Sequence, residues 1–539
     1  MSSITPASET SFATSRFRYP AILFLILVAL SAGAAVWVAQ HGFTLFYGDA
    51  EAHLNIARRV LDSRTPGPEQ LGTVWLPLPH LLMIPFVGRD DWWHSGVAGA
   101  IPAAACFVIA AMFLYAAALR TYGSQAAGIA VALLFALNPN MLYLQSIPMT
   151  ESIFAAALAA LLWSTLVFRD SQSMEAVVAA AIASNAASLT RYEGWFLIPF
   201  VAAYFLIVAR NKRHALIFAA LASLAPISWL AHNQFYYSNA LEFFSGPYSA
   251  KAIYAYQLAH GTSPYPGDHN WLTAIHYYFA AMKAAIGVPL LLAGSLGVIA
   301  ALLNKNWWPI LLLSLPPVFY VMSMHSGGTP IYIPELWPHS WYNTRYALAA
   351  LPLAAFAAGA VVTAAPKLPL PRTLRVPVLA ATAVLLVAGL WLTKANTPEA
   401  FSICWKESLV NSESRREWTK QTAAYLNQFL IPGSTVIYPF GDVPGILREA
   451  GIPLRQGLHD GNHPAWDAAI ARPEMFLHEE WAVAIQGDEL DRAISRTNVR
   501  ANRSGPHYEL KKQIIVKGAP PIDVYHRTPY TESGTPNPK

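Results

Sequence analysis

Acidic, basic and imidazole side chains recur in this chain where apolar runs begin or end. Asp49, Glu51 and His53 follow the apolar run 21–40, and Glu151 opens another run. Arg191 and Glu193 sit in a short turn between two runs, and Arg345, followed by Tyr346, heads a late one. A carboxylate so placed can take a proton from a hydroxyl, and a guanidinium can neutralise a departing phosphate. Each residue alone reads as an ordinary helix-terminal side chain reaching for the interface. Charged groups at membrane depth are costly and are paired or functional, so acids and arginines together at four turns weigh toward function. For Asp49 the rival reading is an N-cap that satisfies a free backbone donor. For His53 a structural hydrogen bond to Asp49 competes with a ligand role.

The elements that must position these groups are membrane helices. The chain has 539 residues, 55% hydrophobic and 12% charged, against about 25% charged in an average soluble domain. Its apolar residues fall in long uninterrupted runs, which makes it a polytopic α-helical membrane protein. The net charge of +5 is scattered in short clusters between the runs, so no basic face for nucleic acid is built. Cys106 and Cys404 lie too far apart in character and place to suggest a disulfide framework or a cysteine metal site. Spans of adequate length are expected at 21–40 and at about 95–118, 126–146, 152–168, 176–190, 194–209, 215–232, 284–303, 307–324, 345–364 and 376–393, about eleven in all. The proline-broken stretch 74–88 is too short to cross and belongs at the interface or in a re-entrant piece. Ala50, Leu54, Ala57 and Leu61 recur at helical spacing, which predicts a short amphipathic helix along the membrane surface with Asp49 and His53 one turn apart.

Basic residues gather in alternate loops, at Arg16 and Arg18, Arg120, Arg169, Arg210 to Arg213, Lys305, and Lys367 to Arg375. Placing these in the cytoplasm gives one consistent alternation, and every candidate site residue then lies on the outer face. The expected organisation is a cytoplasmic tail at 1–19, uncleaved from the first helix, a transmembrane catalytic domain at 20–393, an extracytoplasmic soluble α/β domain at 394–527 and a disordered tail at 528–539. Within the soluble domain, strands are expected at 435–439, 481–486, 513–516 and 522–525, and helices at 415–429 and 490–496. Asp442, His459, Asp460, His463 and Asp467 there lack a metal-ligand spacing, and the domain is expected to aid acceptor choice or stability.

Outside a membrane there is no ATP, and the chain holds neither a GxGxxG fingerprint nor a Walker loop. A carboxylate and arginines on that face suit transfer from a lipid-linked phosphate ester. The order of motifs resembles the GT-C class of integral-membrane glycosyltransferases, near the protein mannosyltransferase and aminoarabinose transferase families. Tyr47-Gly48-Asp49-Ala50 resembles their acidic first-loop motif, and Val74-Trp75-Leu76-Pro77-Leu78-Pro79 their proline-containing segment. Leu189-Thr190-Arg191-Tyr192-Glu193-Gly194 resembles a basic turn between spans, and Arg345-Tyr346 followed by Leu351-Pro352 the start of a late span near the lipid phosphate.

The resemblance implies Asp49 as general base in an inverting displacement on a polyprenyl-phosphate sugar. It implies Glu51, His53 and Glu151 as positioning the acceptor or a metal, and Arg191, Arg345 and Tyr346 as binding the donor phosphate. Glu193 and Lys251, the latter among Tyr248, Tyr254 and Tyr256, would line a groove. A divalent metal stays open as a cofactor, because Ala50 separates Asp49 from Glu51 where some relatives have a DxD pair. The implied partners are the donor, membrane lipids and an acceptor protein, lipid or glycan, in the cell (inner or plasma) membrane with the site facing outward. The alternative is a transporter or flippase of a lipid-linked or sugar substrate; such proteins normally place ionisable residues near the bilayer midplane on broken helices.

Overall fold

The computed structural model describes residues 9–363, 369–393, 402–431, 433–441, 443–500 and 507–528. Asp442, the first eight residues and the tail beyond 528 lie outside them. The chain divides into two compact units: one of residues 1–43, 73–79 and 100–407, the other of 44–72, 80–99 and 408–539. The division therefore differs from the expected boundary at 394, because two segments that follow the first helix join the C-terminal unit.

The first unit is helical and multi-pass. Among the described residues, six helices are long and apolar enough to cross a membrane: Arg18–Gln40, Val97–Tyr122, Glu151–Ser171, Arg213–Tyr237, Trp307–His325 and Thr344–Val362. A seventh crossing arises if Trp271–Ile286 and Val288–Leu303 count as one span, bent by 112° at Gly287, whose φ of +90° suits a residue without a Cβ. The expected span 376–393 lies in the 22-residue helix Arg372–Thr393, while the others are short. Met174–Ser188 has 15 residues and Glu193–Val208 has 16, about 22–24 Å at the helical rise against a hydrocarbon core of about 30 Å. The stretch 126–146 is broken in two, Gln125–Ala136 and Pro139–Leu144. Asn138 caps the second piece by accepting from the backbone N–H of Asn140 at 3.0 Å and Met141 at 3.2 Å, and Pro139 takes the first helical position, where its missing donor costs nothing. The proline-rich stretch forms only the ten-residue helix Leu78–Val87, too short for a crossing.

Small residues let the helices of this unit approach closely. Val288–Leu303 packs on Leu351–Val362 through Gly294 and Gly297. A Cβ at Gly294 would lie 3.0 Å from the Ala354 Cα, and one at Gly297 would run into the Ala357 carbonyl. Polar pairs tie other helices together, as where Trp308 Nε1 donates to Thr165 Oγ1 at 2.9 Å and Ser31 Oγ to Gln145 Oε1 at 2.7 Å.

The second unit is α/β. Its strands β1 (Val436–Ile437), β2 (Gly457–Leu458), β3 (Trp481–Ile485), β4 (His507–Ile514) and β5 (Ile522–Thr528) form one sheet in the order β2-β1-β3-β5-β4. The β1 pairings with β2 and β3 are parallel, and those of β5 with β3 and β4 antiparallel. The helix Gly48–Leu61 is built into this unit, with residues 50–59 all buried. Leu54 and Ala57 share a core with Trp93, Trp418, Ile446 and Val483. The expected amphipathic surface helix is thus a buried one, and its charged residues are accommodated because each finds a partner.

Packing at Gly297 gives a direct test. Gly297→Val should destabilise the detergent-purified chain by about 1–3 kcal/mol through overpacking. Gly33→Ala, at a position with nothing within 4 Å of the added Cβ, serves as control. Thermal unfolding midpoints that fall no further for Gly297→Val than for the control would refute the helix contact.

Candidate active site

In the transmembrane unit three of the sequence motifs converge on one carboxylate. Glu151 is the first residue of its helix, Arg191 and Glu193 belong to the turn between Met174–Ser188 and Glu193–Val208, and Arg345 lies in the 3-10 turn Thr344–Ala350. Gly194 allows that first turn, since a Cβ there would collide with the backbone of Ala187 and Ser188. The proline-containing segment braces it: Leu78 N donates to Leu189 O, and Tyr192 OH to Val74 O, both at 2.9 Å.

Glu151 Oε1 lies 3.2 Å from Arg191 Nη1 and 3.2 Å from Arg345 Nε. Arg191 also donates through Nε to Glu193 Oε1 at 2.8 Å, and through Nη1 to Thr150 Oγ1 at 2.6 Å. Tyr320 OH donates to Glu193 and accepts from Arg191. Its ring stacks on Tyr346 at 4.6 Å, and Tyr346 in turn faces the Arg345 guanidinium at 4.9 Å. The other oxygen of Glu151, Oε2, is buried without a hydrogen-bond partner. It borders a cavity of about 30 Å³ also lined by Arg191, Glu193, Tyr320, Arg345 and Tyr346, room for about one water or hydroxyl group.

The turn carrying Arg345 is held by Glu407. Its carboxylate accepts from Asn343 N at 2.9 Å, Thr344 N at 2.8 Å and Thr344 Oγ1 at 2.5 Å. It also lies 4.0 Å from Arg345 Nη1. Burial raises the pKa of Glu407, while Arg345 and those donors pull against the shift. Two guanidiniums thus meet three carboxylates, and the arginines are neutralised within the protein. Lys251 stands apart from this cluster, on the helix Ala250–Ala259, with its ammonium 4.8 Å from the Phe244 ring.

Asp49, Glu51 and His53 lie in the other unit, on the helix Gly48–Leu61. Its N-cap is Tyr47, which makes no side-chain capping bond, and Asp49 is the second helical residue, partly exposed. The N-cap reading of Asp49 is therefore incorrect. Glu51 is 3% exposed and holds two arginines, Arg448 Nε at 2.9 Å and the closer Arg415 Nη1. Gly445 gives its carboxylate room, since a Cβ there would lie 2.6 Å from Glu51 Oε1. His53 Nδ1 pairs with His80 Nε2 at 2.9 Å, and burial, with His53 and Arg59 close by, lowers the pKa of His80 well below its usual value. At least one ring of the pair is then neutral.

Among the described residues no group of three His, Cys, Asp or Glu side chains converges to hold a metal ion. Both oxygens of Glu51 are taken by guanidiniums. In the C-terminal segment His463 pairs with Asp467 at 2.7 Å, and His459 Nδ1 accepts from Gly461 N at 3.0 Å. Sequence reasoning missed Tyr320, Glu407, Arg415 and Arg448. A lone phenol in an apolar run carries no signal, but a buried Glu51 demanded cations that its own segment could not supply.

Glu51→Gln would leave the buried Arg415 without its counter-charge and Arg448 with only the half-exposed Glu449, 3.6 Å away, a loss of about 3–5 kcal/mol. A clear fall in the unfolding midpoint of the purified chain is expected. A Glu51→Gln protein as stable as the parent would contradict the ion-pair assignment.

Residues 93–232 match the dolichyl-phosphate-mannose-protein mannosyltransferase family. No curated protein matches the chain. Among solved structures, ArnT from Cupriavidus metallidurans bound to undecaprenyl phosphate aligns at TM-score 0.51 and 14% identity, over 91% of this chain and 97% of that one. The apo form of the same protein aligns at 0.49 and 14%, over 91% and 96%. The Archaeoglobus fulgidus oligosaccharyltransferase aligns at 0.47 and 12%, over 86% and 69%; neither of these two carries weight beyond the first. The family match over residues 93–232 and the fold shared with ArnT accord with the resemblance to GT-C membrane glycosyltransferases borne by the motif series.

Proposed function

We propose that the chain transfers a sugar from a polyprenyl-phosphate donor to an acceptor hydroxyl on the extracytoplasmic face of the membrane. The observation that carries this reading is the buried cluster of Glu151, Arg191, Glu193 and Arg345, assembled from motifs far apart in the chain. Structural likeness to ArnT, solved with undecaprenyl phosphate, supports the donor class.

In the reaction, Asp49 takes the proton of the acceptor hydroxyl as its oxygen attacks the anomeric carbon. The bond from that carbon to the phosphate oxygen breaks, the configuration inverts, and polyprenyl monophosphate leaves. Asp49 fits the role by being partly exposed and by not capping its helix. Glu51 fits a positioning role only indirectly, as an anchor of the helix that bears Asp49, and His53 with His80 braces the same helix. Glu151 Oε2, buried and without a partner, is suited to accept a hydroxyl proton donor and so to orient the acceptor. Arg191 and Arg345, which Glu151 and Glu193 pair in the free protein, offset the charge that develops on the departing phosphate oxygen by exchanging part of that pairing for the phosphate when the donor binds, and Tyr346 holds Arg345 in place.

A transporter has one observation in its favour, the helix pair bent by 112°. Yet Glu151 and Glu193 open their helices and are paired within the protein, unlike the midplane coordination sites of broken transporter helices. Of the eleven crossings expected, the helix Arg372–Thr393 supplies one by its length, and the short apolar helices complete the count by local thinning of the bilayer. The basic clusters then set the cytoplasmic side.

Asp49→Asn keeps the size of the side chain but removes the basic lone pair. Turnover should drop by about 10²–10⁴-fold, with donor affinity and thermal stability near those of the parent. Near-normal turnover in folded Asp49→Asn protein removes Asp49 from the catalytic role. Orientation is checked separately: a reporter active only in the cytoplasm should be silent when fused after Thr528 and active in the loop near Lys212. The reverse pattern overturns the outward-facing site.

A further inference from the structure

His80 is wholly buried; its Nε2 lies 2.9 Å from His53 Nδ1, and its Nδ1 has no hydrogen-bond partner. Both histidines belong to the second unit. The helix Gly48–Leu61 carries Leu54 and Ala57, the helix Leu78–Val87 carries Met83 and Val87, and these four share one core. Arg58 Nη1 donates to Val87 O at 2.8 Å and ties the same two helices. His53 is buried one turn after Asp49, which is partly exposed, so burial deepens from Asp49 through His53 to His80. A mere brace would be made better by apolar side chains, because two imidazoles must leave water here and one ring nitrogen stays unpaired.

One proton lies between His53 Nδ1 and His80 Nε2, and the ring that owns it decides what the outer nitrogens can do. Burial, with His53 and the cationic Arg59 close by, keeps His80 neutral. If His53 owned the shared proton, His80 would carry its own on Nδ1, a buried donor with no acceptor in the positive field of Arg59. If His80 owns it, Nδ1 is a lone pair, which that field favours. His80 is then the donor and His53 Nδ1 the acceptor, so His53 carries its proton on Nε2 and presents a donor on the side away from His80. Of the residues three and four places from His53 on its helix, Ala50, Ile56 and Ala57 are apolar and Asp49 alone can accept. Glu51, the other acid of that segment, has both oxygens taken by Arg415 and Arg448.

We propose that His53 Nε2–H donates to the Asp49 carboxylate, and that His80 positions this base from behind by fixing the tautomer of His53. The inference rests on Asp49 as the general base. Held through one oxygen, the carboxylate turns the other toward the acceptor hydroxyl, whose proton it takes. Both imidazoles stay neutral throughout and pass no proton on, so they are positioning residues that act through Asp49. The order of the array, from a buried ring through a second ring to a carboxylate at the rim, follows from one helix packing on another.

The tautomer is read directly by imidazole nitrogen NMR on the full chain in detergent, isotope-labelled at histidine. The His53 signals, assigned by their loss in His53→Gln, should show a protonated Nε2 and a bare Nδ1; a protonated Nδ1 overturns the proposal. Turnover is read as release of decaprenyl monophosphate from whichever decaprenyl-phosphate sugar the parent chain consumes. His80→Leu removes the donor to His53 and should lower kcat by about tenfold with the donor KM unchanged. His80→Gln, whose amide N–H replaces that donor, should recover most of the loss. In an Asp49→Asn background His80→Leu should cost less than about twofold, since it acts through Asp49. An undiminished kcat in folded His80→Leu, equal losses in the Leu and Gln variants, or a full loss in the Asp49→Asn background each overturns the proposal. The spectrum needs no variant of His80, so a His80→Leu protein that does not fold leaves the tautomer open to refutation. Near-normal turnover in Asp49→Asn alone refutes the general base separately, whatever the spectrum shows.

Discussion

A buried guanidinium must be matched by a carboxylate, and much of this molecule is arranged around that requirement. Taking an ion out of water costs several kcal/mol even after relaxation, and one partner removed leaves that cost uncompensated. In the transmembrane unit Glu151 answers both Arg191 and Arg345, Glu193 and Tyr320 complete Arg191, and Glu407 fastens the turn behind Arg345. In the second unit Glu51 does the same for Arg415 and Arg448, and Asp62 and Asp90 do so for Arg58. Both clusters knit together segments far apart in sequence, so they fix the fold as well as any local chemistry. Their saturation also has a functional meaning: Glu151 Oε2 stands out because it is buried with no hydrogen-bond partner.

Much of the helical framework was legible because hydropathy and charge change together at helix ends. Glu151, Glu193 and Arg345 do lie at or beside helix starts, as the runs around them implied. The break inside 126–146 was also written locally, in Asn138 followed by Pro139, but a hydropathy window averages over such a cap. The burial of the helix Gly48–Leu61 was not legible. Its apolar spacing is that of a half-exposed helix, and only Arg415, Arg448 and the core around Ile446, remote in sequence, bury its charged side.

The sheet shows the same limit from another direction. Strand β3 is a compact apolar run and was expected almost as found, whereas β4 carries Glu509, Lys511 and Lys512 at exposed positions, as edge strands often do. Those charges masked it, and only its end was expected. Strand β2 has two residues, too few for any periodicity. In the candidate site, residue types pointed to the right turns, but the pairing could not be read: which carboxylate meets which arginine depends on helix packing at Gly194 and on Glu407, beyond the last expected span.

The central claim is sugar transfer from a polyprenyl monophosphate carrier, and the most direct measurement is of what leaves. Purified chain in detergent would be incubated with a panel of polyprenyl-phosphate sugars and an extract of cell-envelope acceptors, and the prenyl product identified by mass spectrometry. Release of free polyprenyl monophosphate, for at least one sugar and only with acceptor present, is the expected result. Donor that stays intact across the panel, while the same protein moves it across a vesicle membrane, would contradict the transferase and establish a transporter in its place.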